Sequence, residues 1–312
     1  QLVVSDPTIY NIYNGVKKVV EQGYTKPIAI LPFIEGTRNQ DVAEKFREIG
    51  VPILPSPKYA FSALSHLSKY IAYDCTKREL SLAVPHKKAG GRKKALSEVK
   101  SKRMLKESGI PLELGVIVTS REEVFAQAEN VTFPVVMKIE SDDILHKSDV
   151  GGVVLNIRDE KEAVSAYETI LENVKNRAPD AKINGVLMQN MMPQGTELIL
   201  GVKRDAQFGP MLLAGLGGVF VEVFGDSSLY PIPLNKEEAR RMLEALKSYK
   251  MLKGCRGTKA RDIDAVVEMM VSVSDFAEAH KDELCELDIN PLFVYEEGQG
   301  TGVADALVVL EE

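Results

Sequence analysis

The 312-residue chain has room for two domains of about 150 residues each, and 45% hydrophobic with 27% charged residues is the composition of a folded globular protein. Its 45 acidic and 39 basic side chains give a net charge of −6, which argues against bulk-charge binding of nucleic acid, and no apolar run approaches the roughly 18 residues of a membrane span. Three widely separated cysteines (Cys75, Cys255 and Cys285) make neither a disulfide framework nor a paired-cysteine zinc site, and fit a reducing cytoplasm.

The chain opens without Met on Leu2-Val3-Val4, a buried-strand pattern, which predicts one piece of a longer polypeptide. Helical spacing follows over Tyr10 to Gln22, then the apolar run Ile28-Ala29-Ile30-Leu31, of the kind found in parallel strands covered on both faces. Asn39 to Ile49 reads as a second helix closed by Gly50, Val51 to Leu54 as a third strand, and Ala60 to Tyr73 as a third helix. This alternation predicts an α/β unit with a parallel sheet. Residues 85–94, PHKKAGGRKK, are basic enough to suggest a phosphate patch, but the negative total charge favours a solvated linker.

Beyond the linker the pattern changes. Ser97 to Ser108 reads as a helix, Leu114 to Thr119 as a strand, and Ser120 to Glu123 as a capping box opening another helix. Strands are predicted at Val135 to Ile139 and Val153 to Ile157, separated by the loop SDDILHKSDVGG. A long helix spans Glu160 to Arg177, followed by strands at Gly185–Met191, Glu197–Val202, Met211–Leu216 and Val219–Phe224. Helices begin near Asn235 and Asp262, and Leu284–Tyr295 with Val303–Leu310 form a closing hairpin.

Several nucleotide and hydrolase motifs are absent. No GxxxxGK[ST], GxSxG or HExxH occurs, and Gly215-Leu216-Gly217-Gly218 precedes a strand pattern where a dinucleotide fingerprint needs a helix. Lys138, near the end of a buried strand and before a loop closing on Gly151-Gly152, can aim an ammonium and backbone N–H groups at phosphates; a lysine snorkelling from a strand end is the plainer alternative. His146, beside Lys147, Ser148 and Asp149, is either a surface histidine or a phosphoryl acceptor, since neutral imidazole is nucleophilic. Glu286, Asp288 and Asn290 alternate along one strand face, with Asp305 about opposite. Their oxygens suit Mg²⁺, or else form the solvated side of a hairpin.

Together PVVMKIESDDILHKSDVGGV (134–153), VLMQNMMPQGTELILGVKRDAQFGP (186–210), LAGLGGVFVEV (213–223), ELDINPL (286–292) and VADALVVL (303–310) resemble the ATP-grasp part of NDP-forming acyl-CoA synthetases, relatives of succinyl-CoA ligase. The resemblance implies an α+β ATP-grasp domain of two subdomains over residues 95–312. Residues 1–84 resemble, more loosely, the C-terminal part of a flavodoxin-like CoA-ligase domain. By that resemblance Lys138 contacts ATP phosphates, Gly151 and Gly152 cover them, and Gln189, Asn190 and Met191 form the adenine hinge with Glu197 nearby. Asn290 and Asp305 match Mg²⁺ ligands, with Asp288 as a secondary one, and His146 matches the histidine phosphorylated at the nucleotide site. The implied reaction is acid + CoA + ATP to acyl-CoA + ADP + phosphate. It calls on ATP/ADP and Mg²⁺, on partner domains that bind CoA and the carboxylic acid and bear the first phosphohistidine, and on a homo-oligomer of the intact enzyme. Two rival readings are a carboxylate ligase forming an acyl phosphate directly, and a regulatory module that binds nucleotide without turnover.

Overall fold

The computed structural model describes residues 6–31, 40–54, 57–72, 91–144, 146–205, 207–217, 225–255 and 257–311. The chain divides into two units, Gln1–Ser81 and Leu82–Glu312.

In the first unit, helices α1 (Asp6–Glu21), α2 (Gln40–Glu48) and α3 (Pro57–Ala72) follow the predicted helical patterns closely. Val42, Phe46 and Val51 form a small core with Tyr13, Val16 and Ile30 against it, and the Tyr13 and Phe46 rings meet edge-on at 5.3 Å. Ile28–Leu31 and Val51–Leu54 do not form continuous strands. They meet in a single parallel bridge, Ile30 to Ile53, in keeping with the half-buried state of Ile28 and Ile30. The predicted Leu2–Val4 strand lies outside the described residues, and one bridge does not define a flavodoxin-like sheet.

The second unit contains two antiparallel sheets. The four-stranded sheet has the order β2 (Val116–Val118), β5 (Ile183–Asn190), β3 (Val135–Ser141), β4 (Val153–Ile157). Helices α5 (Arg121–Ala128) and α6 (Glu160–Arg177) close its core, where Val124 and Ile170 pack with Val135, Met137 and Ile139. β3 is buried along its whole length, its polar Lys138, Glu140 and Ser141 as well as its apolar residues.

The larger sheet runs β1 (Lys93–Ala95), β11 (Ala306–Glu311), β9 (Leu284–Val294), β6 (Thr196–Asp205), β7 (Gly209–Leu216), β8 (Ser227–Pro231), with β10 (Thr301–Val303) also on β9. Helices α7 (Lys236–Glu244), α8 (Tyr249–Leu252) and α9 (Ile263–Ala279) supply Met242, Leu252 and Phe276 to a second core with Leu198, Leu212 and Leu287. Asn235 and Glu238 make a complete capping box at the start of α7, which satisfies two N–H groups the helix would otherwise leave unpaired.

Three departures from the sequence patterns bear on the site. Lys93 and Lys94, read as linker, pair with Glu311 and Leu310 in the edge strand β1, while 85–90 and the predicted Val219–Phe224 strand lie outside the described residues. The closing strand Val303–Leu310 breaks at Ala304 and Asp305. There the backbone leaves the regular ladder: Ala304 N–H donates to Pro291 O and the Asp305 carbonyl accepts from Asn290 N–H. The helix predicted from Ser97 is α4 (Glu98–Glu107), and its polar residues Glu98, Ser101 and Lys102 are buried with Val99 and Leu105. A buried polar face is rare unless its groups are paired.

Candidate active site

A cleft of about 850 Å³ lies between the two sheets, with walls that include Lys138 and Gln189 from one sheet and Asp288, Asn290 and Asp305 from the other. At its base sits Glu98, the first residue of α4, with its side chain fully buried. Its Oε1 accepts from Lys102 Nζ at 2.8 Å and Lys138 Nζ at 2.9 Å. Oε2 lies 2.9 Å from Lys147 Nζ; this is an ion pair without hydrogen-bond direction, and Oε2 has no hydrogen bond among the described residues.

Charge decides the protonation state here. Burial would raise the Glu98 pKa, but the ammonium groups of Lys138, Lys102 and Lys147 outweigh it and hold the carboxyl far below the ordinary range. For Lys102, burial wins and its pKa is lowered, with Lys138 adding to the effect and Glu98 opposing it. For Lys147, burial is outweighed by Glu98 and Asp305, and the pKa rises. Glu140, two positions along β3 from Lys138, is raised by burial and then by Glu98.

Counting donors separates the lysines. An ammonium has three N–H groups. Lys102 spends all three on Glu98 (2.8 Å), Gln189 Oε1 (3.2 Å) and Ala304 O (2.8 Å), so it ties helix and both sheets together and has nothing left for a ligand. Lys138 spends two, on Glu98 and on Ala304 O at 3.0 Å. Its third N–H makes no hydrogen bond among the described residues, although the ammonium lies 3.8 Å from Asp305 Oδ2; a spare donor on the cleft suits a phosphate oxygen.

Opposite, Asp288 and Asn290 project from the same face of β9, and Asp305 reaches them from the break between β10 and β11. Burial raises the Asp305 pKa, with Glu98 adding to it and the three lysines opposing. Asp288 is likewise raised by burial, then by Glu286 and Asp305, and an Asn290 hydrogen bond opposes the shift. Among the described residues no group of three His, Cys, Asp or Glu side chains has metal-binding geometry. Two crowded carboxylates and an amide fit a different arrangement, a hard cation whose remaining ligands are phosphate and water oxygens.

His146 is exposed on the cleft wall in the loop between β3 and β4. Gly152 folds that loop back, donating to Lys147 O at 2.8 Å while its carbonyl accepts from Ile139 N–H at 2.7 Å. A Cβ at Gly152 would lie 2.5 Å from Ile139 Cγ2, and one at Gly151 (φ 66°) 2.9 Å from Asn173 Nδ2. Gly152 is therefore required by packing and Gly151 by its left-handed backbone, and neither lines the cleft.

Of the sequence-predicted residues, Lys138, His146, Gln189, Met191, Glu197, Asp288, Asn290 and Asp305 share the cleft. Met191 N–H is committed to Pro134 O. Asn190 faces elsewhere: its Oδ1 accepts from Thr132 N–H at 3.0 Å, and it lines a second cleft of about 680 Å³. Glu98, Lys102 and Lys147 escaped sequence reasoning. Glu98 and Lys102, four apart, look like a surface helix pair; the available signal was that Ser101 and Leu105 share their helical face.

Comparison with known proteins identifies the family of the second unit. The ATP-grasp domain family matches residues 87–310. The chain is 41% identical over 217 residues to the beta subunit of acetate–CoA ligase [ADP-forming] II from Pyrococcus furiosus, covering 70% of this chain and 92% of that one. It is 38% identical to acetate–CoA ligase [ADP-forming] I from Archaeoglobus fulgidus over 91% of this chain but 42% of the relative. It thus spans nearly all of a separate subunit and less than half of that longer relative. Among solved structures, acetyl-coenzyme A synthetase 1 of Ca. Korarchaeum cryptofilum, in complex with coenzyme A, Ca-AMPCP and HgCl+, superposes with a TM-score of 0.67 at 41% identity over 70% of this chain and 94% of that one. A complex of that synthetase with coenzyme A and Mg-AMPPCP, its phosphohistidine segment pointing towards the nucleotide binding site, gives 0.59 at 38% identity, over 70% and 93%. The chain belongs to the ATP-grasp family and, within it, to the ADP-forming acyl-CoA ligases.

Proposed function

We propose that this chain is the nucleotide-binding, phosphoryl-transferring part of an ADP-forming acyl-CoA ligase, and that His146 accepts the γ-phosphoryl group of ATP. The observation that carries the proposal is the placement of an exposed imidazole on the wall of the same cleft as Lys138, with its free donor, and the Asp288, Asn290 and Asp305 oxygens.

Lys138 binds the phosphate chain through its remaining N–H and fixes it by charge. Asp305, Asn290 and Asp288 are the residues that would hold Mg²⁺, which when bound offsets negative charge on the β- and γ-phosphates. Gln189 and Met191 line the side of the cleft suited to adenine, with Glu197 at the start of β6 in the other sheet. An unprotonated ring nitrogen of His146 attacks the γ-phosphorus. An N–P bond forms as the bond to the bridging oxygen breaks, and ADP leaves with that electron pair. The phosphoryl group then passes to partner domains that bind CoA and a carboxylic acid, completing acid + CoA + ATP to acyl-CoA + ADP + phosphate. A flavodoxin-like fold for residues 1–84, Mg²⁺ as the physiological cation and a homo-oligomeric assembly belong to the same proposal.

The test is incubation with γ-labelled ATP and Mg²⁺. The chain should acquire an acid-labile, base-stable phosphate that is absent from His146→Asn, while nucleotide binding by calorimetry stays within about threefold because the imidazole acts in transfer. Label persisting in His146→Asn would overturn the assignment and favour direct formation of an acyl phosphate.

A further inference from the structure

The residue after His146 is tied to the far side of the cleft. Lys147 Nζ lies 3.2 Å from Asp305 Oδ2 and 2.9 Å from Glu98 Oε2, and its side chain is only 10% exposed. Lys147 and Asp305 are 158 residues apart, on opposite sheets. The loop's other ties are local or lead to elements beside it: Asp149 N–H to His146 O, Gly151 N–H to Ser148 O and Ile139 N–H of β3 to Gly152 O, and, from α6, Asn173 Nδ2 to Gly151 O at 3.1 Å and Arg177 to Asp149 O at 3.0 Å. Nearer β3, Lys100 of α4 reaches Asp142 at 2.7 Å and Lys182 N–H reaches Asp143 at 2.7 Å. No hydrogen bond or ion pair holds the His146 ring among the described residues. The side-chain tie nearest the imidazole is therefore that of its neighbour, Lys147.

Resting on the reading of His146 above, we propose that Lys147 is a positioning residue that pins the His146 loop across the cleft, and that a divalent cation taking Asp305 loosens the pin. Asp305 cannot give the same oxygen fully to an ammonium and a cation. A cation there leaves Lys147 with Glu98 alone, through the contact that lacks hydrogen-bond direction. Occupancy of the cation position is thereby linked to the freedom of the histidine one residue along the backbone, and the loop is held still while the site has nothing to transfer. The linkage needs no contact between His146 and the cation; it requires only that Lys147 have two partners and lose one.

The test is hydrogen exchange of the full chain without nucleotide. It is read at the amides of Asp149 and Gly152, whose bonds to the carbonyls of His146 and Lys147 report the loop's local opening. Lys147→Met, which keeps the stem and removes the charge, should speed exchange there by about tenfold while β3 and α6 are unchanged. Lys147→Arg should restore protection, and adding Asp305→Asn to Lys147→Met should change the loop no further. MgCl₂ alone should move the wild-type loop towards the Lys147→Met rate and leave that variant unaffected. Unchanged loop exchange in Lys147→Met, or faster exchange spread equally through β3 and α6, would overturn the proposal; so would a wild-type loop indifferent to MgCl₂. Because no nucleotide is present, these outcomes are separate from whether His146 becomes phosphorylated.

Discussion

Asp305 stands where two demands conflict. Its carboxylate is half-buried and faces the Glu98 charge, so its pKa is raised in spite of three nearby lysines. A raised carboxyl pKa means the fold prefers the protonated form: the associated stability is complete below the ordinary aspartate value and is lost as pH rises through the folded one. Ionising Asp305 therefore works against the fold, and we propose that the carboxylate is there for what it binds. Asp305→Asn is expected to leave the urea midpoint at pH 7 unchanged or slightly raised, while removing most of the Mg²⁺-dependence of ATP binding measured by calorimetry. In the wild type that dependence should weaken on acidification at a higher pH than an ordinary aspartate would give. A clear loss of stability in Asp305→Asn with intact Mg²⁺-dependence would make the residue a structural partner of the lysines and nothing more.

Among the elements, the loop from β3 to β4 shows what a local pattern can and cannot convey. Its boundaries, its histidine and its closing glycines were legible because they lie within twenty residues and punctuate two apolar strands. The sequence resemblance assigns Gly151 and Gly152 to covering phosphates. The geometry gives them another task, close approach to Asn173 and Ile139, which no one-dimensional pattern announces. The strand pattern of β9 likewise put Asp288 and Asn290 on one face, and the hairpin brought Asp305 to them. The break that frees Ala304 O for two lysines could not be read, because its partners are 166 and 202 residues away. Gly152→Ala tests the packing account. The added methyl meets Ile139 Cγ2 at 2.5 Å and Lys147 O at 3.0 Å, and overpacking of this kind costs about 1–3 kcal/mol. The loss should show in urea unfolding, accompanied by faster exchange in the loop. An alanine variant as stable as wild type would mean the loop has room to shift, and that the glycine answers to a ligand.

At the scale of the whole 82–312 unit, the two sheets have separate apolar cores, one around Met137 and Ile170, the other around Leu198 and Phe276. The described contacts that reach across the cleft are largely polar and converge on α4: Glu98 to Lys138 on β3, Lys102 to Gln189 on β5 and to Ala304 beside β10. The same carboxylate that holds Lys138 thus also couples the sheets. Replacing one member of a buried ion-pair group leaves the others uncompensated and costs about 3–5 kcal/mol, so Glu98→Gln should be strongly destabilised. The loss should also be uneven. Exchange-monitored urea unfolding should give coincident transitions for β3 and β9 in the wild type, and an earlier transition for β3 in the variant, because α5 and α6 form a smaller core than α7 and α9. The pH response fixes the cause. Glu98 is depressed by its lysines, so its stabilisation is present above a glutamate's ordinary value of 4.5 and is lost as pH falls below it towards the folded value. Wild type should therefore lose stability steeply below about pH 4.5, and Glu98→Gln should lack that component. Coincident transitions in Glu98→Gln with the acid dependence retained would show that the sheets are joined by other contacts and that Glu98 serves the nucleotide site alone.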